Sequence, residues 1–284
     1  MNRETCLITG ATSGIGQAAA LALAKKHFRL ILIGRNEGKT ARVCEEIRRM
    51  SQNEDISGYV CDLSVLRDVR CFTTRIKEDH PRIDVLINNA GARILRHGLT
   101  EEGIELTLAT NHLGHFVLTL SLVDALERSG RPRIINVSSG THYGGTGVIK
   151  NVRSAADYDG RKQYADSKLA NVLFTLALAD RLKGKGIAVN AVDPGGVATH
   201  FARNDGLVPW LKHRLYYLMK RQLLTPAQGA ETIVYLASSD DVVGVTGKYF
   251  ANKEERKASM ISYDKAIQEE LWALSVELSG MSMS

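Results

Sequence analysis

Short apolar runs alternate with longer segments of helical periodicity along the whole chain. The runs are rich in β-branched side chains and are bounded by Gly, Asn or Asp, which is typical of strands buried on both faces. We predict seven strands, at residues 5–9, 28–33, 58–61, 83–87, 133–137, 187–192 and 247–250. Between them, apolar residues recur at spacings of three and four, which predicts helices.

Strands that alternate with helices from end to end predict an α/β fold, with a doubly wound parallel sheet of about seven strands and helices on both faces. No break in composition, repeat or low-complexity segment divides the 284 residues. We therefore expect residues 1–284 to form a single domain, a length that α/β folds often reach without a second one.

Glycines follow the first strand and precede the first helix. The segment is Gly10, Ala11, Thr12, Ser13, Gly14, Ile15 and Gly16. Glycines let the backbone turn sharply and approach a phosphate closely, and a helix N-terminus offers unpaired N–H donors. We predict the pyrophosphate site of a Rossmann-type fold here, although the spacing differs from the usual G-x-G-x-x-G; a plain strand-to-helix turn is the alternative.

Arg35 and Asn36 follow the second strand, where a dinucleotide fold meets the adenosine ribose. A carboxylate there favours the free 2′-hydroxyl of NAD, whereas an arginine accommodates the 2′-phosphate of NADP. The first acidic residue comes only at Glu37. We predict that NADP(H) is preferred over NAD(H), with a solvated arginine as the alternative. Asp62 and Leu63 end the third strand, where Asp62 either meets the adenine or caps a helix.

Tyr164 and Lys168 lie four residues apart in a helical pattern, and therefore on one helix face. A free phenol titrates near pH ~10, and a nearby ammonium stabilises its anion, so the pair can exchange a proton near neutral pH. Such pairs are also common on plain helix surfaces. Ser138 and Ser139 end the fifth strand, at the edge where open α/β sheets bind ligands. Asn111 lies in an apolar helical stretch, where a buried amide needs partners.

These motifs resemble the short-chain dehydrogenase/reductase family over nearly the whole chain. The matching pieces are T-G-A-T-S-G-I-G from Thr9, N-N-A-G from Asn88, Asn111, Ser139, Tyr164 with Lys168, and D-P-G-G-V from Asp193. Three local sequences are similar to the retinol-dehydrogenase-like subgroup, namely N-H-L-G-H-F from Asn111, S-K-L-A-N-V-L-F from Ser167 and T-P-A-Q-G-A-E from Thr225. The long interval between Ser139 and Tyr164 is also typical of that subgroup.

The resemblance implies hydride transfer between NADP(H) and a carbonyl or alcohol. It implies that Tyr164 is the general acid or base, that Lys168 supports Tyr164 and bonds the nicotinamide ribose, and that Ser139 holds the substrate oxygen. Asn111 would support a proton relay behind Lys168. The resemblance also places the remaining cofactor contacts at Asn89, Ala90, Gly91, Pro194, Gly195, Val197 and Thr199.

Residues 200–222 mix aromatic and aliphatic side chains with basic ones. Three interpretations of this amphipathic segment stay open: a lid over an apolar substrate, a peripheral contact with a membrane surface, or plain packing. The resemblance to the subgroup implies a small apolar substrate, such as a retinal-like aldehyde or a ketone. The family often forms homodimers or homotetramers through the helices that carry Asn111 and Tyr164. Leu169, Val172 and Leu176 serve either such an interface or the core.

The charge, the cysteines and the hydropathy of the chain limit the ligands and the location that we expect for the protein. The net charge of +6 permits anionic ligands, but the sequence has no dense basic run, so we expect no nucleic acid. The four cysteines lack metal-ligand spacing, which predicts no metal site and a reducing compartment. No signal peptide or apolar stretch of membrane-spanning length is visible, so we expect a cytoplasmic protein, with peripheral membrane contact left open.

Three other functions compete with this interpretation. A non-catalytic NADP(H)-binding sensor or scaffold would need the glycine turn but not Ser139, Tyr164, Lys168 and Asn111. A nucleotide-sugar epimerase or dehydratase would need a larger substrate region after the sixth strand. A hydrolase built on Ser139 and His142 would need a G-x-S-x-G turn, which the sequence around Ser139 does not contain.

Overall fold

An eight-stranded sheet lies at the centre of the computed structural model, which describes residues 3–147, 149, 154, 155, 157–197 and 223–281. Its strands are β1 (Thr5–Thr9), β2 (Arg29–Gly34), β3 (Ile56–Val60), β4 (Val85–Asn88), β5 (Arg133–Val137), β6 (Ala188–Asp193), β7 (Lys248–Ala251) and β8 (Glu254–Arg256). They are ordered β3-β2-β1-β4-β5-β6-β7-β8, and all are parallel except β8, which pairs antiparallel with β7.

Helices cover both faces of this sheet. They are α1 (Gly14–Ala24), α2 (Glu37–Ser51), α3 (Leu66–Asp79), α4 (Leu106–Leu108), α5 (Gly114–Ser121), α6 (Val123–Glu127), α7 (Gly160–Arg181), α8 (Pro226–Ser238) and α9 (Lys265–Ser279). The apolar side chains of α1, α2 and α8 share one core cluster with the sheet, and those of α3, α5 and α7 share the other. The predicted doubly wound α/β fold is therefore confirmed.

Burial on both faces explains why the strands appear as unbroken apolar runs. All five residues of β1 are buried. Leu7 joins the core on the α7 side, whereas Cys6 and Ile8 join the core on the α1 side, because side chains alternate along a strand. The sheet has one strand more than the seven predicted. Its extra strand, β8, contains only exposed charged residues, so hydrophobic patterning could not reveal it.

The order of the strands creates the place where a ligand can bind. β3 lies at one edge of the sheet, and the chain crosses from it past β1 to form β4 on the other side. β1 is therefore flanked by strands whose connections run in opposite directions. In open α/β sheets the crevice at the carboxyl ends of two such strands is the usual ligand site.

A π-helical turn at Ala109–Leu113 joins α4 to α5. Beyond it the helix packs closely against the loop after β3, since a Cβ on Gly114 would lie 2.2 Å from the Leu63 carbonyl oxygen. π turns are rare and frequently occur at functional sites. This one contains Asn111, which is fully buried.

The C-terminal helix α9 packs on the outer face of α7. Leu169 is buried against Leu271 of α9, and Val172 is buried with Tyr249 of β7. Leu176 packs partly buried beside Val172. All three side chains therefore contribute to packing within this chain.

Among the helices of the described residues, none combines the length and the apolar character needed to span a membrane. Cys6, Cys44 and Cys61 are buried and Cys71 is exposed, all as free thiols. The predicted lid segment, residues 200–222, lies outside the described residues.

Glu105 fastens the start of α4 to the start of α7. Its carboxylate, which is fully buried, accepts hydrogen bonds from the N–H groups of Thr107 and Leu108 at 2.8 Å each. It also accepts hydrogen bonds from the Gln163 side-chain amide and the Tyr158 hydroxyl, both at 3.0 Å. The helix that carries Asn111 is thereby held against the helix that carries the predicted catalytic pair.

Replacing Glu105 by alanine is expected to lower the free energy of unfolding by about 3 kcal/mol, because buried donors then lose a charged acceptor. Urea denaturation measures this change. Glu101→Ala, at an exposed position of the same loop, is the control and should change stability by less than about 0.5 kcal/mol. A loss of only that size in Glu105→Ala would show that this carboxylate does not support the fold.

Candidate active site

A cleft of ≈ 520 Å³ opens at the carboxyl ends of the central strands. Residues at or after the ends of β1 to β6 line it together with the first half of α7. The predicted residues that line it are Gly10, Thr12, Ser13, Gly14, Ile15, Gly16, Arg35, Asn36, Leu63, Asn89, Ala90, Gly91, Ser139, Tyr164, Lys168, Pro194, Gly195 and Val197. The fold thus brings segments from widely separated parts of the sequence to one cavity.

Among the described residues, two predicted ones, Asp62 and Asn111, do not line the cleft. Thr199 lies outside the described residues. Asp62 accepts hydrogen bonds from the N–H and the hydroxyl of Ser64, at 2.9 and 2.7 Å. The N-cap of α3 is Val65, so the alternative in which Asp62 caps this helix is wrong. Asn111 lies behind the wall of the cleft.

Close backbone packing shapes the end of the cleft at the glycine turn. Gly10 has φ +64°, a conformation that side chains disfavour. A Cβ on Gly16 would lie 2.4 Å from both the Gly10 carbonyl oxygen and the Asn89 Nδ2 atom. Ser13 is the N-cap of α1, and in the described part of the chain its side chain makes no capping hydrogen bond. The first N–H groups of α1 therefore face a space that suits an anion.

Thr9 and His115 join the glycine turn to the helix behind it. The Thr9 hydroxyl oxygen accepts the N–H groups of Asn89 and Ala90 at 2.9 Å each, and its proton points to His115 Nε2, 3.0 Å away. Burial lowers the pKa of His115 to about 3, so the ring is neutral, and its Nδ1 donates to the Asn111 carbonyl at 3.1 Å. His115 therefore has a structural role here.

Two cations border the cleft beyond the end of β2. Arg35 is exposed, and Lys39 lies one turn away in α2, whose N-cap Asn36 accepts the Lys39 N–H at 2.8 Å. Lys39 was not among the predicted cofactor-binding residues. Its signal was a cation in the first turn of a helix, where the helix dipole favours an anion.

Lys168 and Tyr164 lie on the cleft side of α7. The Lys168 ammonium is 5.8 Å from the centre of the Tyr164 ring and donates to the Val137 carbonyl at 3.1 Å. Lys168 is only 3 % exposed, and burial lowers its pKa to about 8, a shift that the nearby Asp193 carboxylate opposes. The pair thus combines a phenol with an amine that titrates close to neutral pH.

The two serines after β5 have different surroundings. Ser138 is buried and donates its hydroxyl proton to the main-chain carbonyl of Lys168 at 2.8 Å. Ser139 borders the cleft, and the one hydrogen bond of its hydroxyl among the described residues is accepted from the Thr141 N–H at 3.2 Å. Its own proton remains available to a ligand, which distinguishes Ser139 from Ser138 as a donor.

Asn111 clips the loop after β4 to α7. Its Oδ1 accepts the Ala92 N–H at 2.7 Å, and its Nδ2 donates to the Ala92 carbonyl and to the Ser167 hydroxyl at 2.9 Å each. A Cβ on Gly91 would lie 3.2 Å from Lys168 Nζ and 3.4 Å from Asn111 Oδ1. The side chain therefore holds the wall of the cleft, and Gly91 fits between that wall and Lys168.

Replacing Lys168 by methionine is expected to stabilise the protein at pH 7, because burial disfavours the cation. A pKa of about 8 against an ordinary 10.5 corresponds to a gain on the order of 3 kcal/mol. The Val137 carbonyl keeps a second donor, Asn171 Nδ2 at 3.2 Å. Between pH 8 and 10.5 the unfolded chain binds more protons than the folded one, so wild-type stability rises and the advantage of the variant shrinks.

Chemical denaturation at several pH values between 7 and the ordinary lysine pKa measures this effect. Lys162→Met, at an exposed position of the same helix, is the matched control and should show no such pH-dependent difference. A Lys168→Met protein that is less stable than wild type at pH 7 would contradict the expectation.

Further lining residues were not predicted, namely Ile33, Gly34, Cys61, Ala92, Arg93, Thr110, Val137, Thr141 and Gly196. Most of them contribute backbone or small side chains, for which the sequence carries no signal. Within the part of the chain that the structure describes, no cluster of His, Cys, Asp and Glu residues can hold a metal ion.

Comparison with known proteins agrees with this arrangement of motifs. A family model described as short chain dehydrogenase matches residues 4–207. Retinol dehydrogenase 13 of Homo sapiens is 35% identical over 281 residues, which cover 98% of this chain and 85% of that protein. Polyprenol dehydrogenase of Homo sapiens is 36% identical over 286 residues, which cover 98% of this chain and 86% of that protein.

A solved structure supports the same similarity. A Shigella flexneri protein assigned to the short-chain dehydrogenases, in complex with NADP, superposes with a TM-score of 0.69 and 25% sequence identity. The superposition covers 89% of this chain and 98% of the other.

Proposed function

This chain belongs to the short-chain dehydrogenase family, and we propose that it transfers hydride between NADP(H) and an apolar carbonyl or alcohol substrate. The family consists of oxidoreductases that bind a nicotinamide cofactor. The observation that carries the proposal is the meeting of Ser139, Tyr164 and Lys168 at the same cleft as the glycine turn.

Residues of this chain fit such a cofactor. The backbone around Gly10 and Gly16 leaves no room for side chains, and the N-terminus of α1 opens on the cleft, as a pyrophosphate requires. Asn89, Ala90 and Gly91 after β4, and Pro194, Gly195 and Val197 after β6, would hold the nicotinamide half. When bound, the cofactor supplies the hydride in reduction or accepts it in oxidation.

The side chains would manage the charge that develops on the substrate oxygen. Hydride transfer to a carbonyl leaves alkoxide-like charge, which the hydroxyls of Ser139 and Tyr164 would stabilise by hydrogen bonding. Tyr164 would then donate its proton to that oxygen in reduction, and accept a proton in oxidation. Lys168 would stabilise the resulting phenolate, since its ammonium lies near the ring and titrates close to neutral pH.

The preference for NADP(H) rests on the cations at the adenosine end. Arg35 and Lys39 both border the cleft, where a 2′-phosphate would find two positive partners. The one carboxylate near them in sequence, Glu37, is exposed and does not line the cleft. The NADP complex of the Shigella flexneri relative is in keeping with this choice.

An apolar substrate is proposed from the relatives. The names of two of them, retinol dehydrogenase and polyprenol dehydrogenase, refer to long apolar alcohols. Residues 200–222 of this chain carry the aromatic and aliphatic side chains that could cover such a substrate. We therefore propose apolar aldehydes, ketones and their alcohols as the substrate class.

The proposal is tested by following NADPH consumption at about 340 nm, the absorption band of the reduced nicotinamide. The panel should contain retinal, polyprenal and shorter apolar aldehydes and ketones, with polar carbonyls of equal chain length as controls. Turnover that favours the apolar members, and NADPH over NADH, supports the proposal.

Tight NADPH binding without turnover on the whole panel, in either direction, would favour a non-catalytic sensor on the same fold. Binding is measured separately by the change in NADPH fluorescence. Turnover with polar carbonyls alone would refute the substrate class but leave the oxidoreductase activity standing.

A further inference from the structure

We propose that His142 is a positioning residue that orients the Ser139 hydroxyl for the chemical step. This inference rests on the proposed function, in which Ser139 donates a hydrogen bond to the substrate oxygen. It assigns a role to a histidine that does not line the cleft and would not itself touch substrate.

His142 holds the peptide that carries Ser139. It lies in a short 3₁₀ turn, Gly140–Gly144, that begins directly after Ser139. The main-chain N–H of His142 donates to the Ser139 carbonyl at 3.0 Å, and the ring Nδ1 approaches the same oxygen at 2.8 Å. Backbone and side chain of one residue therefore fix a single carbonyl group.

The opposite edge of the ring determines where its proton lies. His142 Nε2 accepts the main-chain N–H of Ser259 at 3.1 Å. A backbone N–H only donates, so Nε2 must be unprotonated, and the proton of the neutral ring must lie on Nδ1. That proton is the one donated to the Ser139 carbonyl.

The ring has little freedom to leave this position. His142 is fully buried, and its ring centre lies 4.0 Å from that of Tyr143 and 4.7 Å from that of Tyr249 in β7. Ser259 precedes the turn Met260–Tyr263, so the ring connects the end of β5 to the segment that leads into α9. Contacts on both sides of the ring thus fix the position and orientation of the imidazole.

The consequence for Ser139 follows from its own hydrogen bonds. Its hydroxyl oxygen accepts the Thr141 N–H, a donor that belongs to the same turn. If the Ser139 carbonyl rotates, the turn and the hydroxyl move with it. Misplacement of a reacting partner by about 1 Å can lower a rate by about 10²-fold.

Asparagine and glutamine at position 142 each preserve one of the two hydrogen bonds that the imidazole ring makes, so that the two bonds can be tested separately. Asparagine places an amide N–H where Nδ1 was and keeps the bond to Ser139, whereas glutamine reaches Ser259 and loses the bond to Ser139. We expect His142→Gln to lower kcat by about 10- to 10²-fold and His142→Asn by less than about threefold, with the NADPH dissociation constant little changed in both.

A double-mutant cycle with Ser139→Ala tests whether the effect passes through Ser139. The double variant His142→Gln/Ser139→Ala should be no slower than Ser139→Ala alone. Equal losses from His142→Gln in both backgrounds would overturn the proposal, because they would indicate a general structural effect. Equal rates of the Asn and Gln variants would overturn it as well.

Nitrogen-15 NMR of the histidine rings gives a measurement that does not depend on activity. A neutral His142 with its proton on Nδ1 is expected, and a proton on Nε2 would refute the geometry in a fully active enzyme. A wild-type protein without turnover on any substrate would instead refute the proposed function, and the role of His142 would fall with it. Failure of the role of His142 and failure of the proposed oxidoreductase function therefore give different results.

Discussion

Tyr164→Phe is expected to lower kcat for carbonyl reduction by about 10²- to 10⁴-fold, the range typical of losing a general acid. The variant keeps the ring, which is only 9% exposed, and removes one oxygen. The nearby Lys168 lies over the ring and also bonds the Val137 carbonyl, so its position should not change. NADPH binding should therefore remain close to that of wild type while turnover is lost.

Steady-state kinetics together with fluorescence titration of NADPH separates these two quantities. Tyr235→Phe is the matched control, because Tyr235 packs partly buried on the α1 side of the sheet, away from the cleft. It should keep wild-type kcat. A Tyr164→Phe enzyme with kcat within about threefold of wild type would exclude this hydroxyl as the proton donor.

Arg35→Asp is expected to weaken NADPH binding by about 10²-fold and to change NADH binding by less than about threefold. The substitution replaces a cation beside the proposed 2′-phosphate site with an anion, which would repel the phosphate. NADH carries a hydroxyl at that position, and this hydroxyl can donate a hydrogen bond to a carboxylate. The cofactor preference should therefore reverse or nearly disappear.

Dissociation constants for both cofactors at two salt concentrations measure this effect, since exposed charges are screened by salt. Arg42→Asp makes the same change of net charge at an exposed position of α2 that does not line the cleft. It should weaken both cofactors slightly and equally. Equal losses for NADPH and NADH in Arg35→Asp would rule out recognition of the 2′-phosphate by this side chain.

The sequence predicts the fold and the position of the cleft well, for a physical reason. Parallel strands buried on both faces appear as apolar runs, and their carboxyl ends meet at one edge. Residues directly after these runs, such as Arg35, Asn89 and Ser139, are therefore expected to meet, and they do line one cleft. The same pattern does not predict β8, because its residues are all charged and exposed.

Other features depend on contacts that no local pattern encodes. Asp62 bonds Ser64 instead of capping α3, a choice set by the geometry of one turn. The carboxylate of Glu105 is buried because donors from α4, α7 and the loop before α7 converge on it. The partners of His142 include Ser259, far along the chain. Such side chains are recognisable only once the tertiary structure has brought their partners together.

A sheet edge with unpaired N–H and C=O groups can template the addition of a strand from another molecule, which is a common start of aggregation. At one margin of this sheet β7 is shielded by β8, whose Glu254, Glu255 and Arg256 are all exposed. A strand from a second molecule would find only a three-residue ladder there, with exposed charged side chains at every position. Short length and charge thereby make this margin a poor template for amyloid-like growth.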